Sequence, residues 1–400
     1  MTIDIDEDYL LSQLKALLSI DSPTGYTDQV VRYCSQELER LGLTPELTRR
    51  GAIRAVRQGS RRKGARAIVS HVDTLGAQVK AIKENGRLEL VPIGHWSARF
   101  AEGARVTIYS YHGTFRGTIL PLKASGHTFN DEVDTAPVGW AHVELRIDAI
   151  TGSAAQTRGL GIDVGDTVAI DTGTEFLENG FINSRHLDDK AGVAICLAAI
   201  EALERTGART PVDTHWLFTI AEEVGVGASS ILSSEIASML TIDNGTTAPG
   251  QNSSEFGVTI AMADQTGPFD YHLTRKLVDL CIENDIPYQK DVFRYYRSDS
   301  ASALEAGHDI RTALAAFGVD ASHGYERIHV HALTSVARLV SAFAVSPVNI
   351  DRDAEEISSP KGFTTQPTDE AEQLVQVPAD GGRAPEQQQP LDRWSRPKPT

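Results

Sequence analysis

Cysteine is scarce in this 400-residue chain, where Cys34, Cys196 and Cys281 are the whole complement. Three is a small, odd number, and each lies in an apolar, helix-spaced pattern. That argues against a disulfide framework and for buried thiols in a reducing compartment. A basic excess is lacking as well: 38 Lys and Arg face 54 Asp and Glu, a formal charge of −16. Ten acids against six bases lie from Asp351 onward, so −12 belongs to the rest and the acidity is not a tail effect. Long-range attraction to nucleic acid or to an anionic membrane is thereby excluded. The longest apolar run is interrupted at Glu201, too early to span a bilayer. The opening Met-Thr-Ile-Asp-Ile-Asp-Glu-Asp is acidic where a signal or transit peptide is basic. No internal repeat is present. The expectation is a cytoplasmic protein with no nucleic-acid or membrane partner, long enough for more than one domain.

What is present begins with helical texture. Leu10, Leu11, Leu14, Leu17 and Leu18 share one face of a first helix, and Val30, Val31, Cys34, Leu38 and Leu41 share one face of a second. Two strand-like runs follow, around Ile53 to Arg57 and Ala65 to Ser70, the latter delivering His71-Val72-Asp73. From Gly76 to Asp171 the texture becomes short alternating segments broken by Asn85-Gly86 and His112-Gly113, with no helix-period segment of any length. The α/β pattern then resumes. It gives a helix from Lys190, a strand Thr214 to Ile220, a helix near Ala228 to Glu235 and strands Ala237 to Ile242 and Gly257 to Ala263. A helix Tyr271 to Glu283, strand Tyr288 to Phe293, helix Ser300 to Glu305, strand Ile310 to Ala315 and helix His329 to Val345 complete it. The last fifty residues hold seven of 17 prolines and few large apolar side chains. The expected organisation is an α/β domain with a mixed sheet (1–75 and 172–348), an inserted small all-β domain (76–171) and a disordered tail (349–400).

Chemistry concentrates at predicted strand ends and turns. Asp188 and Asp189 stand side by side at the mouth of the apolar helix. One carboxylate there is favoured by the helix dipole, whereas two repel unless a cation joins them. An isolated Asp-Asp is ordinarily a solvated capping pair, but three other pieces accompany it. They are His71-x-Asp73, Glu222-Glu223 directly after the buried run Trp216-Leu-Phe-Thr-Ile, and Asp243 after Met239-Leu-Thr-Ile, with His323 downstream. Burying such carboxylates without partners is costly, and shared divalent cations remove the cost. Imidazole and carboxylate suit borderline ions such as Zn²⁺, and a bridging Asp can hold two of them about 3.5–4 Å apart.

In this order His71-x-Asp73, Leu187-Asp188-Asp189-Lys190-Ala191-Gly192, Glu222-Glu223-Val224-Gly225, Asp243 and a late His resemble the dinuclear metalloaminopeptidases of the glutamyl and tetrahedral (TET) family. The resemblance covers roughly residues 7 to 345. Thr107 to His142 and Asp320-Ala-Ser-His323-Gly-Tyr-Glu-Arg327 further resemble the subgroup associated with the osmoprotectant N-acetylglutaminylglutamine amide. It implies an aminopeptidase-type α/β/α sandwich, a barrel-like dimerisation insertion and a dodecamer assembled through it, with short peptides as substrate.

Residue by residue it implies two divalent ions, Zn²⁺ or Co²⁺ with Mn²⁺ as an alternative. His71 and Asp243 would ligate one, Glu223 and His323 the other, and Asp188 would bridge. Glu222 would be the general base, Asp73 would orient the His71 ring, Asp299 would face the substrate pocket, and the Asp188–Asp189 peptide would be cis. Thr74 and Lys190 stand where the family usually has Glu and Arg, and His329 and His331 lie close enough in sequence to rival His323. Two other readings keep the same residues: a metal-dependent amidase or deacylase on a small acylated peptide, and an inactive scaffold for assembly.

Overall fold

The computed structural model describes residues 3–348 and 350–367. At its centre lie parallel strands that are buried on both faces, as runs such as Ala65–His71 and Thr214–Thr219 require. Thr214–Thr219, Ala65–His71, Ile236–Thr247 and Arg311–Asp320 pair in that order, all parallel. Antiparallel strands flank them. Ile53–Arg57 and Pro45–Leu47 lie on one side, while Glu326–His329, Phe181–Ser184 and Glu175–Phe176 continue the sheet on the other. Val258–Asp264 adds antiparallel to Arg311–Asp320 and carries Tyr288–Val292 beside it. The mixed α/β architecture is the one expected.

Helix Leu187–Thr206 packs on the sheet between helices Glu7–Leu18 and Val330–Val345. Its Val193, Ile195, Leu197, Ile200 and Leu203 are fully buried, each worth about 1.5–3 kcal/mol against exposure. The alanines between them let the helix approach its neighbours closely.

Between Gly76 and Ile170 six strands close into a barrel in the order Gly76–Ile82, Leu88–Ile93, Val143–Ile147, Gly113–Pro121, Arg105–Ser110, Thr167–Ile170. It has its own core, in which Val79, Leu88, Leu90, Val106, Ile108, Ile119, Leu145 and Val168 meet.

Several local expectations change. The β-rich stretch contains four helical turns of four to six residues, Ala98–Ala101, Gly126–Phe129, Glu132–Thr135 and Ala154–Gly159, too short to leave a periodic signature. The helix expected near Ala228 to Glu235 shrinks to a 3₁₀ turn, Ala228–Ser230, whose first N–H is held by Asp299 and Ser302 from elsewhere in the fold. Strand Ile236–Thr247 runs past Asp243, so that residue lies within the strand and not after it. Residues 350–358, expected in the disordered tail, instead form a 3₁₀ turn Asp351–Ala354 held by Arg311–Asp353 (2.5 Å), Arg61–Asp351 (3.0 Å) and Lys63–Glu355 (2.8 Å). Their acids meet complementary charges, which composition alone does not reveal. The rest of the expected tail from 368 lies outside the described residues. Among the described residues no helix is long and apolar enough to cross a membrane, and all three cysteines are buried and free.

Candidate metal centre

The parallel strands set the site. Thr219 stands level with His71 in the sheet register, so His71 and the Glu222-Glu223 turn emerge together at the carboxyl edge, the usual location of α/β sites. Asp243 reaches the same cavity from the neighbouring strand.

The His71 ring is buried. Its Nδ1 lies 2.9 Å from the Asp73 carbonyl oxygen and 3.4 Å from Asp73 Oδ1, while Nε2 lies 3.1 Å from Asp188 Oδ1. With Nδ1–H given to the carbonyl, Nε2 is the ring atom that faces the carboxylates: protonated it donates to Asp188, and deprotonated it offers the lone pair a ligand needs. The nearer contact to the ring is thus the main chain of Asp73. Its carboxylate does something else, accepting from Thr24 Oγ1 (2.6 Å), the Glu222 N–H (3.2 Å) and the Glu223 N–H (3.4 Å). Asp73 therefore fixes both acids of the turn.

The two adjacent aspartates divide their work, and the peptide between them is cis, as the resemblance implied. Asp188 projects into the cavity with Oδ1 towards His71 and Oδ2 3.1 Å from His323 Nε2, and Asn244 Nδ2 donates to Oδ2 at 2.6 Å. Asp189 turns back into the protein, accepting from Ser70 Oγ (2.5 Å), the His71 N–H (3.0 Å) and the Gly192 N–H (3.2 Å). The backbone of Asp188 and Asp189 is non-helical, so Asp189 caps the regular part of helix Leu187–Thr206, from Lys190 on, and holds the His71 main chain. Lys190, the departure from Arg, is buried and donates to the Leu17 and Ile20 carbonyls at 2.9 and 2.5 Å.

His323 sits at φ +63°, with Nδ1 2.8 Å from the His95 carbonyl of the barrel segment and Nε2 3.7 Å from Glu223 Oε2. Glu326 was not foreseen as part of the site. Its buried carboxylate accepts from the His323 N–H (2.9 Å) and the Asp188 N–H (3.2 Å), tying the two together. Its signal was a Glu three residues after the candidate His. The rivals are engaged elsewhere: His329 packs against Phe181 and Phe256, gives Nε2 to the Asn179 carbonyl at 3.0 Å, and receives the His331 N–H on Nδ1. Asp299 lines the cavity, but its oxygens are taken by Thr219 Oγ1 (2.6 Å), the Ala228 N–H (2.8 Å) and Ser302 Oγ (3.2 Å), so it braces the loop after Glu223.

Electrostatically the site holds more negative charge than its own donors neutralise. Burial pushes Glu222 and Glu223 well above the usual carboxylate range and Asp243 up to about 7, with Asp188 adding repulsion on Asp243. Burial also works against Asp188, yet the hydrogen bonds from His323 and His71 hold it below the ordinary value. Burial and then the charges of Asp243, Asp188 and Glu222 push the nearby Tyr296 hydroxyl well up. A divalent cation among such carboxylates reverses this logic.

The residues fit one. His71, Asp188 and Glu223 each offer a ligand atom, all within 4.8 Å of one another, and the buried Glu223 Oε1 has no hydrogen-bond partner among the described residues. The cavity in front of them, about 1060 Å³, also admits Glu222, Asp243 and His323.

A mixed α/β sandwich with a histidine–carboxylate cluster at the carboxyl edge of its sheet and a barrel set before the helix whose mouth holds Asp188 defines the metallo-aminopeptidase class. The M42 glutamyl aminopeptidase family model matches residues 51–339, and the chain belongs to that family. It is 37% identical over 336 residues to YhfE of Bacillus subtilis (strain 168), provisionally named an aminopeptidase, covering 84% of this chain and 97% of that one. Its fold is similar to aminopeptidase APDkam598 of the archaeon Desulfurococcus kamchatkensis, with a TM-score of 0.76, 24% identity and coverage of 85% and 95%. It is likewise similar to the Pyrococcus horikoshii TET1 peptidase, described as assembling into a tetrahedron or a large octahedral shell, with a TM-score of 0.74, 20% identity and coverage of 84% and 100%.

Proposed function

We propose that the protein removes N-terminal residues from short peptides at a pair of divalent ions. One would be held by His71 and Asp243, the other by His323 and Glu223, and Asp188 would be shared. The observation that carries this reading is the Asp188 carboxylate, which offers one oxygen to each histidine at 3.1 Å. Bound there, such ions supply Lewis acidity, polarising the scissile carbonyl and lowering the pKa of water.

The chain's own groups do the rest. Glu222 Oε2 lies 3.8 Å from His71 Nε2 at the cavity wall, and its carboxylate takes a proton from the attacking water and returns it to the leaving amine. Asp73 holds the Glu222 main chain so that this carboxylate keeps its place. The wall of carboxylates suits a free ammonium on the substrate better than an acyl cap, which favours aminopeptidase over deacylase. Hydrolysis of a free-amine dipeptide panel beside its N-acetylated counterparts, with Zn²⁺, Co²⁺ or Mn²⁺ supplied, tests this. Cleavage confined to free amines is expected, and cleavage of only the acetylated set would move the reaction to the osmoprotectant-like acylated peptides.

Glu222→Gln should keep bound metal and lose activity about 10²–10⁴-fold, the usual worth of a positioned base. Near-normal turnover would refute the assignment. The same reading extends to self-association through the barrel into a large closed shell, measured by light scattering on the purified protein.

A further inference from the structure

Segment Phe293 to Ser298 crosses one wall of the cavity. It is braced at both ends: the Phe293 N–H bonds to the Ala263 carbonyl (3.0 Å), the Tyr296 carbonyl accepts the Gln265 N–H (3.1 Å), and Ser298 caps helix Asp299–Glu305. The Tyr296 ring packs on a small apolar cluster of Ala261, Phe269, Phe293, Leu314 and Ala316, its centroid 5.2 Å from that of Phe293. Its hydroxyl is different. The oxygen is buried beside Asp243, with whose carboxyl it interacts, yet it makes no hydrogen bond of full geometry among the described residues. An unpaired buried hydroxyl costs stability and so calls for a ligand.

Several other donors around the cavity are already committed, while the lining Arg294 is exposed to solvent. Asn244 gives its amide to Asp188, Gln251 to Asp291, Ser302 its hydroxyl to Asp299, and Arg297 its guanidinium to Glu305. We propose that Tyr296 donates its O–H to the scissile carbonyl oxygen as that oxygen gains negative charge. The reasoning rests on the peptidase reading above. In a pocket walled by carboxylates, developing oxyanion charge is repelled, and a fixed donor counters this most effectively when it needs no reorganisation. The substrate ammonium, by contrast, is itself a donor and calls for an acceptor, not for a phenol O–H. Tyr296 touches the reacting oxygen and moves no proton: its O–H bond stays intact throughout.

The test is Tyr296→Phe in the full chain, which keeps the ring in its apolar cluster. Kinetics with a free-amine peptide are measured beside metal content and calorimetric binding of a phosphonate peptide analogue, whose tetrahedral oxygens mimic the oxyanion, and of the free amino-acid product. The expected result is a kcat lower by about 10²–10³-fold, KM within about 3-fold, and metal content unchanged. Phosphonate affinity should fall by a comparable factor while product affinity holds. Tyr295→Phe, altering an exposed neighbour, should change none of these. Three results would overturn the inference: unchanged kcat and phosphonate affinity, lost metal (which makes Tyr296 a support for Asp243), or a rise in KM alone. A wild-type protein inactive on every free-amine peptide sinks the peptidase reading and this inference with it. An active wild type with an undiminished variant sinks only the inference.

Discussion

Gly192→Ala sets two physical effects of opposite sign against each other. In an ordinary helix interior the change gains about 0.5–1 kcal/mol, because alanine loses less backbone freedom on folding. Here a Cβ would lie 2.1 Å from Asp189 Oδ1, 2.6 Å from its Cγ and 2.7 Å from Oδ2. The carboxyl group cannot easily retreat, since Oδ2 is held by Ser70 Oγ at 2.5 Å and the His71 N–H at 3.0 Å. Relieving the overlap means displacing a buried side chain, at about 1–3 kcal/mol, and losing at least one buried hydrogen bond, at about 1–3 kcal/mol more. After the helix gain is set against these, the variant should be about 1–5 kcal/mol less stable, read as a lower urea midpoint with unchanged slope. Because Asp189 also holds the His71 main chain, peptidase kcat/KM should fall as well, by up to about 10²-fold for a misplacement near 1 Å. A midpoint at or above the wild-type value would refute the reasoning, since it would show that Asp189 is free to move.

Other outcomes follow from single residues. Arg66 is buried and donates to the Phe343, Ala344 and Pro347 carbonyls at 2.5, 3.2 and 2.8 Å, closing the end of helix Val330–Val345. Arg66→Ala should cost about 3 kcal/mol in the same denaturation assay. His215 is buried with both ring nitrogens unpartnered, and burial holds its pKa below the ordinary value. The unfolded chain therefore binds the extra proton first as pH falls through about 6.5, so this group's contribution is stability lost on the acid side. His215→Leu should flatten the decline in stability between about pH 7 and 5, and an unchanged slope would contradict the assignment. Truncation after Ser358 should leave stability unchanged, whereas truncation after residue 350 strips Asp353 from Arg311 and should cost about 1 kcal/mol, checked by thermal melts of the two proteins.

The sequence by itself determined the class of fold, and it picked out acids and histidines that the fold gathers around one cavity. Buried parallel strands must be apolar nearly throughout, so Trp216-Leu-Phe-Thr-Ile announced both the strand and the unusual placement of Glu222 and Glu223 at its end. The run of short alternating segments from Gly76 likewise announced an inserted all-β domain, though not its closure into a barrel. Only the tertiary structure decided how those residues share the work. That Asp188 enters the cavity while Asp189 turns inward depends on Ser70, fixed by another strand. That Asp73 serves the Glu222-Glu223 turn more than the His71 ring depends on two strands ending level. Glu326, the tether between Asp188 and His323, left only its place three residues after that histidine, and the buried hydroxyl of Tyr296 gave no periodic or motif signal at all. Local pattern reports which face of an element is apolar; which polar atoms meet across elements is set by register and packing, and these exist only once the chain has folded.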